Sequence, residues 1–212
     1  MPSDSTDAGL VPTGHPDRIR WNARYTADFA PSFTPHPLAA GVLGPPGLDL
    51  PDGPVADLAC GPSGAALLAA AAGRRVTAVD ISDVGLGLLG EESGRRGLRD
   101  RITLVQADLR DWHPAGACYA LVLCTGYWDR AVFATAVTAV APGGVLAWEA
   151  FTAGARRARP GLCPQWCLAD GEPVSLLGTG FEVLEVRDLP DGGRGPKRAL
   201  LARRLAAAHG RP

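Results

Sequence analysis

The sequence predicts an α/β protein built on a doubly wound, mostly parallel sheet. Three observations support this fold class. Short apolar runs rich in β-branched residues alternate with helical stretches along the chain. Runs such as 120–123 are apolar at every position, which is typical of strands covered on both faces. The last two strand-like runs are joined by a short connection containing Asp191-Gly192-Gly193, which predicts an antiparallel terminal hairpin.

Length and composition fit one globular domain. The chain has 212 residues, of which 46% are hydrophobic and 20% are charged. Lys and Arg number 21 against 22 Asp and Glu, and this balance argues against a dedicated nucleic-acid binder. No apolar stretch is long enough to predict a membrane span, and residues 1–10 lack the features of a secretory signal. The five cysteines form no disulfide framework, so we expect a cytoplasmic protein.

The first fifty residues predict little regular structure. Residues 1–14 are polar and turn-rich, which predicts a disordered tail, and a second tail is expected over 206–212. Apolar side chains at helical spacing predict a helix over 17–29. Seven prolines between residues 31 and 54 leave room for one short helix, over 38–43. The single domain is expected to cover residues 15–205.

Strands and helices then alternate. Strands are predicted at 55–59, 75–79, 102–106, 119–124, 145–151, 181–186 and 199–203. Helices are predicted at 65–72, 83–96, 130–140 and 172–177, with Pro142-Gly143-Gly144 ending the third of them.

Small and acidic residues follow the first three strands, where an open α/β sheet binds its ligand. The first strand runs into the turn 57–64 (DLACGPSG), in which small residues let a ligand approach the backbone and the next helix offers free N–H groups. Asp80 ends the second strand, where its carboxylate can accept from two ribose hydroxyls. Asp108 follows the third strand, where it can accept from an exocyclic amine such as that of adenine. Taken singly, each carboxylate could cap a turn or a helix, but together they indicate an adenosine-containing ligand without a pyrophosphate.

These motifs resemble those of the class I S-adenosylmethionine (SAM)-dependent methyltransferases, over roughly residues 17–204. The resemblance is strongest in VADLACGPSGAALLAAAAGRRVTAVDIS and LVQADLRDW. With APGGVLAWEAFT and CPQWCLADGEPVSLL, the chain is similar to the small bacterial tellurite-resistance-type branch. The resemblance implies a Rossmann-like seven-stranded sheet of order 3-2-1-4-5-7-6 and an N-terminal lid over 15–50. A nicotinamide dinucleotide is disfavoured, since only two glycines of G-x-G-x-x-G are present.

The resemblance also implies SAM as cofactor, with S-adenosylhomocysteine as product. In the family, positions 57 and 61 lie beside the amino-acid part of SAM, position 80 binds the ribose and position 108 lies at the adenine edge. The cofactor-binding residues that it implies are Asp57, Ala59, Cys60, Gly61, Asp80, Ile81, Ala107, Asp108, Leu109 and Cys124, with Trp21 and Tyr25 on the lid. One departure is Ser63, which replaces the last glycine of D-x-x-C-G-x-G. If that position needed a positive φ, serine would cost about 1 kcal/mol.

Aromatic residues are absent between Phe33 and Trp112 and gather at the second half of the expected site. Each ring taken singly is better explained by packing, but as a group they predict an aromatic-walled acceptor pocket. The substrate-binding candidates are Arg24, Thr125, Trp128, Arg130, Trp148 and Phe151, with Arg130 suited to an acceptor carboxylate. If the acceptor needs a base, the candidates are Asp129, Glu149 and Tyr127.

The functional prediction is methyl transfer from SAM to a small-molecule acceptor by in-line displacement, mainly through proximity and orientation. One alternative is a SAM-using enzyme that cyclises or cleaves the side chain and releases methylthioadenosine. A second alternative is a SAM sensor without activity. We expect no nucleic-acid, membrane or metal partner, because Cys163 and Cys167 have no neighbouring histidine to complete a zinc site. The chain is expected to be a monomer or a homodimer.

Overall fold

The sheet has the predicted strand order. The computed structural model describes residues 11–26, 30–114 and 116–206. The strands are β1 (Val55–Leu58), β2 (Val76–Asp80), β3 (Ile102–Gln106), β4 (Tyr119–Thr125), β5 (Val140–Phe151), β6 (Phe181–Leu189) and β7 (Lys197–Arg204). Their order is β3-β2-β1-β4-β5-β7-β6. β1 to β5 are parallel, and β7 is antiparallel to both β5 and β6, which confirms the terminal hairpin.

Six α-helices accompany the strands within the described ranges. They are α1 (Pro16–Thr26), α2 (Pro37–Leu43), α3 (Gly64–Ala71), α4 (Asp83–Arg95), α5 (Arg130–Ala139) and α6 (Ala155–Ala158). Ser63, Ser82 and Asp129 cap α3, α4 and α5, and each side-chain oxygen accepts from a backbone N–H two or three residues further on. The predicted tails over 1–10 and 207–212, and residues 27–29 of the predicted first helix, lie outside the described residues.

The two faces of the sheet bury different kinds of side chain. On the face of α2, α3 and α4 the core is aliphatic, with Leu67, Leu89 and Leu123 almost fully buried. On the face of α5 the core contains the rings of Phe133 and Trp148. Helices α2, α3 and α4 all lie in the segment between Phe33 and Trp112 that contains no aromatic residue, which accounts for the aliphatic core on their face.

Two predicted elements differ most from the structure. β5 begins at Val140, directly after α5, and not at Val145. Pro142, which has no N–H to donate, sits where the pairing of β4 with β5 shifts register, so the irregular ladder tolerates it. The helix predicted over 172–177 is only a 3-10 turn, Val174–Leu176. Further short turns lie at Arg99–Arg101 and Pro164–Trp166.

Candidate cofactor and acceptor site

The turn after β1 places its strain at a residue other than the one the sequence indicated. Ser63 has φ −84°, an ordinary value, so its replacement of the family glycine requires no left-handed backbone. Its hydroxyl accepts from the N–H of Ala66 and donates to Asp57 Oδ2 over 2.5 Å. The left-handed residues are Ala59 (φ +50°) and Gly61 (φ +53°). The backbone cost predicted for Ser63 thus falls on Ala59 instead.

Replacing Ala59 by glycine should stabilise the protein. The substitution relieves the left-handed strain of an L-residue, and we expect a gain of about 0.5–1 kcal/mol in the free energy of unfolding. Denaturant unfolding of both proteins measures it. Ala134→Gly on the exposed side of α5 is the matched control and should lose about 1 kcal/mol. A loss of stability in Ala59→Gly would contradict the assignment of strain.

Two buried carboxylates lie at the carboxyl ends of β1 and β2. Asp80 accepts from the backbone N–H of Gly61 over 2.7 Å and from that of Ser82 over 2.8 Å. Because each carboxylate oxygen can accept a second hydrogen bond, Asp80 keeps capacity for ribose hydroxyls. Burial raises the pKa of Asp80 despite these backbone hydrogen bonds. Burial also raises the pKa of Asp57 to about 7, although the Ser63 hydroxyl opposes the shift.

The lid helix α1 covers a cradle formed by two glycines. A Cβ on Gly61 would lie 2.5 Å from the hydroxyl of Tyr25, and one on Gly85 would lie 2.9 Å from its ring. The ring therefore rests where glycine backbone leaves room, stacked 5.8 Å from Trp21. Tyr25 therefore occupies the glycine cradle itself, and Asp80 beside it ends β2, where such a carboxylate can bind the ribose of SAM.

Three polar contacts dock the lid on the start of α4. Arg18 and Asn22 each donate to Asp83 Oδ1 over 2.8 Å, and the hydroxyl of Ser82 donates to Asn22 over 2.6 Å. Ser82 also donates its backbone N–H to Asp80, so the lid and the predicted ribose-binding acid share one anchoring residue. These contacts place Trp21 and Tyr25 of α1 near Asp80, and the lid over residues 15–50 stays a prediction.

The predicted adenine edge is occupied by protein contacts. Asp108 accepts from the guanidinium and the backbone N–H of Arg110 and lies 3.4 Å from His15. Burial raises the pKa of Asp108, but the Arg110 contacts outweigh it and hold the pKa below its usual range. Ala107 and Leu109 beside it are buried, and the carbonyl of Ile81 accepts from Gln106. The adenine role of these residues stays a prediction.

The tryptophans expected in an acceptor wall lie in the core. Trp128 is 2% exposed and Trp148 is fully buried, and both rings pack against Phe133 at 5.1–5.3 Å. The indole N–H of Trp148 donates to the carbonyl of Tyr127 over 3.0 Å. Burial raises the pKa of the Tyr127 hydroxyl, so this side chain stays protonated at neutral pH. In this structure Trp128 and Trp148 are core residues, as the alternative explanation by packing expected.

Two other acceptor-side candidates are engaged within the chain. Asp129 Oδ1 caps α5 by accepting from the N–H groups of Ala131 and Val132. Arg130 makes a two-pronged contact with Glu172 at 2.6 and 2.9 Å. The carboxylate expected opposite Arg130 is therefore supplied by the chain itself. Cys124 is fully buried, and burial raises its pKa, so it offers a neutral thiol beneath this edge.

Glu149 is held by two residues that the sequence did not single out. Its Oε1 accepts from Lys197 Nζ over 2.6 Å and lies 3.3 Å from His36 Nε2. His36 Nδ1 accepts from the N–H of Leu38, which leaves Nε2 as the nitrogen that carries the proton toward Glu149. Burial raises the pKa of Glu149, but His36 and Lys197 together hold it below its usual range. The contacts span long sequence separations, so no local motif could have revealed them.

Arginine and lysine side chains lie over several aromatic rings, including that of Phe151 at the end of β5. Arg159 lies 5.0 Å and Lys197 5.4 Å from the ring of Phe151. Arg20 lies between the rings of Trp21 and Trp166, at 5.4 and 5.2 Å, and so connects the lid to the loop after α6. Arg24 stands 6.0 Å from the Trp21 ring. Among the described residues, Arg24 and Arg159 have no acidic partner.

Comparisons with known proteins agree with this geometry. Residues 55–144 match the family described as a methyltransferase domain. This chain is similar to a protein whose structure was solved in work on the conversion of a disulfide bond into a thioacetal group during echinomycin biosynthesis. The TM-score is 0.63 at 20% identity, and the match covers 89% of this chain and 93% of that one. The geranyl diphosphate C-methyltransferase from Streptomyces coelicolor A3(2) has a TM-score of 0.64 at 15% identity, covering 93% and 91% of the two chains. The cyclase SpnF has a TM-score of 0.63 at 18% identity, covering 80% of each chain. No curated protein matches the sequence.

The strand order and these structural likenesses define the class I methyltransferase fold. The family match over residues 55–144, from β1 to the start of β5, supports a SAM-dependent methyltransferase that uses SAM as its cofactor. The tellurite-resistance-type branch stays a prediction. Within the described ranges, no helix combines the length and apolarity needed to cross a membrane. The same residues contain no group of three or more His, Cys, Asp or Glu that could hold a metal ion.

Proposed function

We propose that this protein is a SAM-dependent methyltransferase that acts on a small-molecule acceptor, bound at the carboxyl ends of β4 and β5 beneath helix α1. The observation that carries the proposal is the arrangement of Asp80 and the Gly61–Gly85 cradle under Tyr25. When bound, SAM supplies a methyl group already activated by its sulfonium. The chain then has to hold the acceptor in line and exclude water, which accounts for most of the rate enhancement in such a transfer.

Each part of the site has a proposed task. Asp80 holds the ribose, Asp57 and Gly61 lie along the amino-acid part, and Tyr25 with Trp21 closes the site from above. On the acceptor side, Thr125, Glu149 and Phe151 follow one another along the ends of β4 and β5. Asp129, Arg130 and Tyr127 stay candidates at the rim.

A small acceptor is supported by two observations. Helix α1 packs directly on the start of α4 and so narrows the access to the cradle. The geranyl diphosphate C-methyltransferase among the similar structures was solved with geranyl diphosphate, a small molecule. The cations near Phe151 favour a neutral or anionic acceptor over a cationic one. We also propose that the enzyme has no nucleic-acid partner.

The test combines calorimetry with mass spectrometry. We expect the protein to bind SAM and S-adenosylhomocysteine, and to form S-adenosylhomocysteine only when a suitable acceptor is present. A screen of small nucleophiles identifies the acceptor. Methylthioadenosine released without any acceptor would contradict methyl transfer and support side-chain cleavage or cyclisation instead. Tight binding without turnover across the screen would support the sensor.

We further propose that the enzyme works in the cytoplasm as a monomer or homodimer. All five cysteines are free thiols in the structure, which suits a reducing compartment. Size-exclusion chromatography with light scattering measures the oligomeric state.

A further inference from the structure

Only one of the two carboxylate oxygens of Glu149 has a partner among the described residues. The residue is 3% exposed, and both of its partners, Lys197 and His36, contact the same oxygen, Oε1. Among the described residues, none donates to Oε2, and that oxygen is not among the fully buried polar atoms that lack a partner. Oε2 is therefore reachable from outside the protein, where it can accept a hydrogen bond from water or from a bound acceptor.

The register of the sheet places this oxygen on the cofactor side. Glu149 pairs with Thr125 on β4, and Leu123 on β4 pairs with Asp57 on β1. Because side chains alternate along a strand, Asp57, Thr125 and Glu149 share one face at the carboxyl edge. Thr125 is half-buried, and its hydroxyl makes no hydrogen bond within the described part of the chain. Two adjacent polar groups therefore face the same space beside the cofactor residues.

The two partners fix the carboxylate and keep it charged. Lys197 reaches it from β7, and His36 reaches it from the cap of α2, so Glu149 is held from two separate elements. Phe151, on the same face, carries the guanidinium of Arg159 over its ring. A carboxylate with two donors on one oxygen is a weak base, which argues against proton removal from a hydroxyl. It can nevertheless orient an N–H group and stabilise positive charge.

We propose that Glu149 is a catalytic residue whose Oε2 faces the methyl-transfer centre and accepts a hydrogen bond from an acceptor nitrogen that is neutral before the reaction. This inference rests on the proposed function. Transfer breaks the bond between sulfur and methyl, leaves the electron pair on sulfur and forms a bond between nitrogen and methyl, so the positive charge passes to nitrogen beside Glu149. The proton stays on nitrogen during the step, and no base is required. Arg159 disfavours a permanently cationic acceptor, which indicates an aromatic or heteroaromatic amine.

The test compares two cofactor analogues that differ at the transfer centre. Sinefungin carries an amine where SAM carries its sulfonium methyl, and S-adenosylhomocysteine carries a neutral sulfur. We expect Glu149→Gln to lower the affinity for sinefungin relative to S-adenosylhomocysteine roughly tenfold to a hundredfold, as for loss of a charged hydrogen bond. Glu149→Asp should recover part of the ratio. Glu182→Gln, on the exposed side of β6, is the matched control and should leave the ratio unchanged.

The possible outcomes separate the two proposals. An unchanged ratio in a folded Glu149→Gln that still binds S-adenosylhomocysteine overturns this inference and leaves the proposed function intact. Failure of the wild type to bind either analogue overturns both. For the acceptor found in the screen, product NMR locates the new methyl group. A methyl group on nitrogen supports the inference, and one on oxygen or carbon overturns the nitrogen acceptor.

Discussion

Replacing Asp80 by alanine should lower the affinity for SAM at least about 100-fold. The carboxylate accepts from the N–H groups of Gly61 and Ser82, and we propose that it also binds the ribose. Each hydrogen bond to a charged group contributes about 1.5–3 kcal/mol to the binding free energy, and the ribose would lose two such bonds. The turn that shapes the glycine cradle would lose its anchor in the same variant. Isothermal titration calorimetry with SAM measures the affinity.

The controls for this substitution separate binding from folding. Asp100→Ala removes an exposed carboxylate outside the site and should bind SAM as the wild type does. Asp80→Asn keeps one accepting oxygen and should give an intermediate affinity. Circular dichroism shows whether each variant is folded. Wild-type affinity in a folded Asp80→Ala would remove Asp80 from the cofactor site.

The stability of the protein should fall between pH 4 and pH 7 because of Asp57. Burial raises its pKa in the folded chain to about 7, from an ordinary value of 3.8. Between these values the folded state keeps a proton that the unfolded state releases, so the stabilisation is complete below about pH 4 and is lost as pH rises to 7. At 1.36 kcal/mol per unit, the full effect is about 4 kcal/mol.

Asp57→Asn isolates this contribution. The amide cannot titrate and still offers an oxygen to the Ser63 hydroxyl, so the variant should exceed the wild type in stability at pH 8 by a few kcal/mol. The difference should shrink as the pH falls to 4.5. Urea unfolding of both proteins across this range measures it. Parallel pH profiles of the two proteins would show that Asp57 is ionised throughout.

The position of the proposed cofactor residues at one edge of the sheet could be predicted because its signals are local. Asp57, Gly61 and Asp80 directly follow strands that their own apolar runs predict, and parallel strands bring such residues to one edge. The strand order came from the resemblance together with the terminal hairpin. The backbone angle of Ser63 could not be predicted, because the strain of a turn depends on its three-dimensional path and here falls on Ala59.

The proposed acceptor side of the site depends on tertiary contacts, which a local sequence pattern does not predict. Trp148 and Glu149 are neighbours in sequence but point to opposite faces of β5, one into the core with Phe133 and the other toward His36. Sequence spacing indicates that both end a strand, but it does not say which face opens to a ligand. Lys197 and His36 reach Glu149 through tertiary contacts, so only the folded chain brings them together.

The position of Tyr25 also has a kinetic consequence. Because its ring fills the glycine cradle while α1 is docked on α4, we expect the nucleotide to enter and leave only after the helix moves away. Substrates would then bind in a compulsory order, donor first, with the helix closing over both. The spent nucleotide would leave last, after the same helix reopens. Opening of α1 would thus set the steady-state rate, and the first turnover would run faster than those that follow.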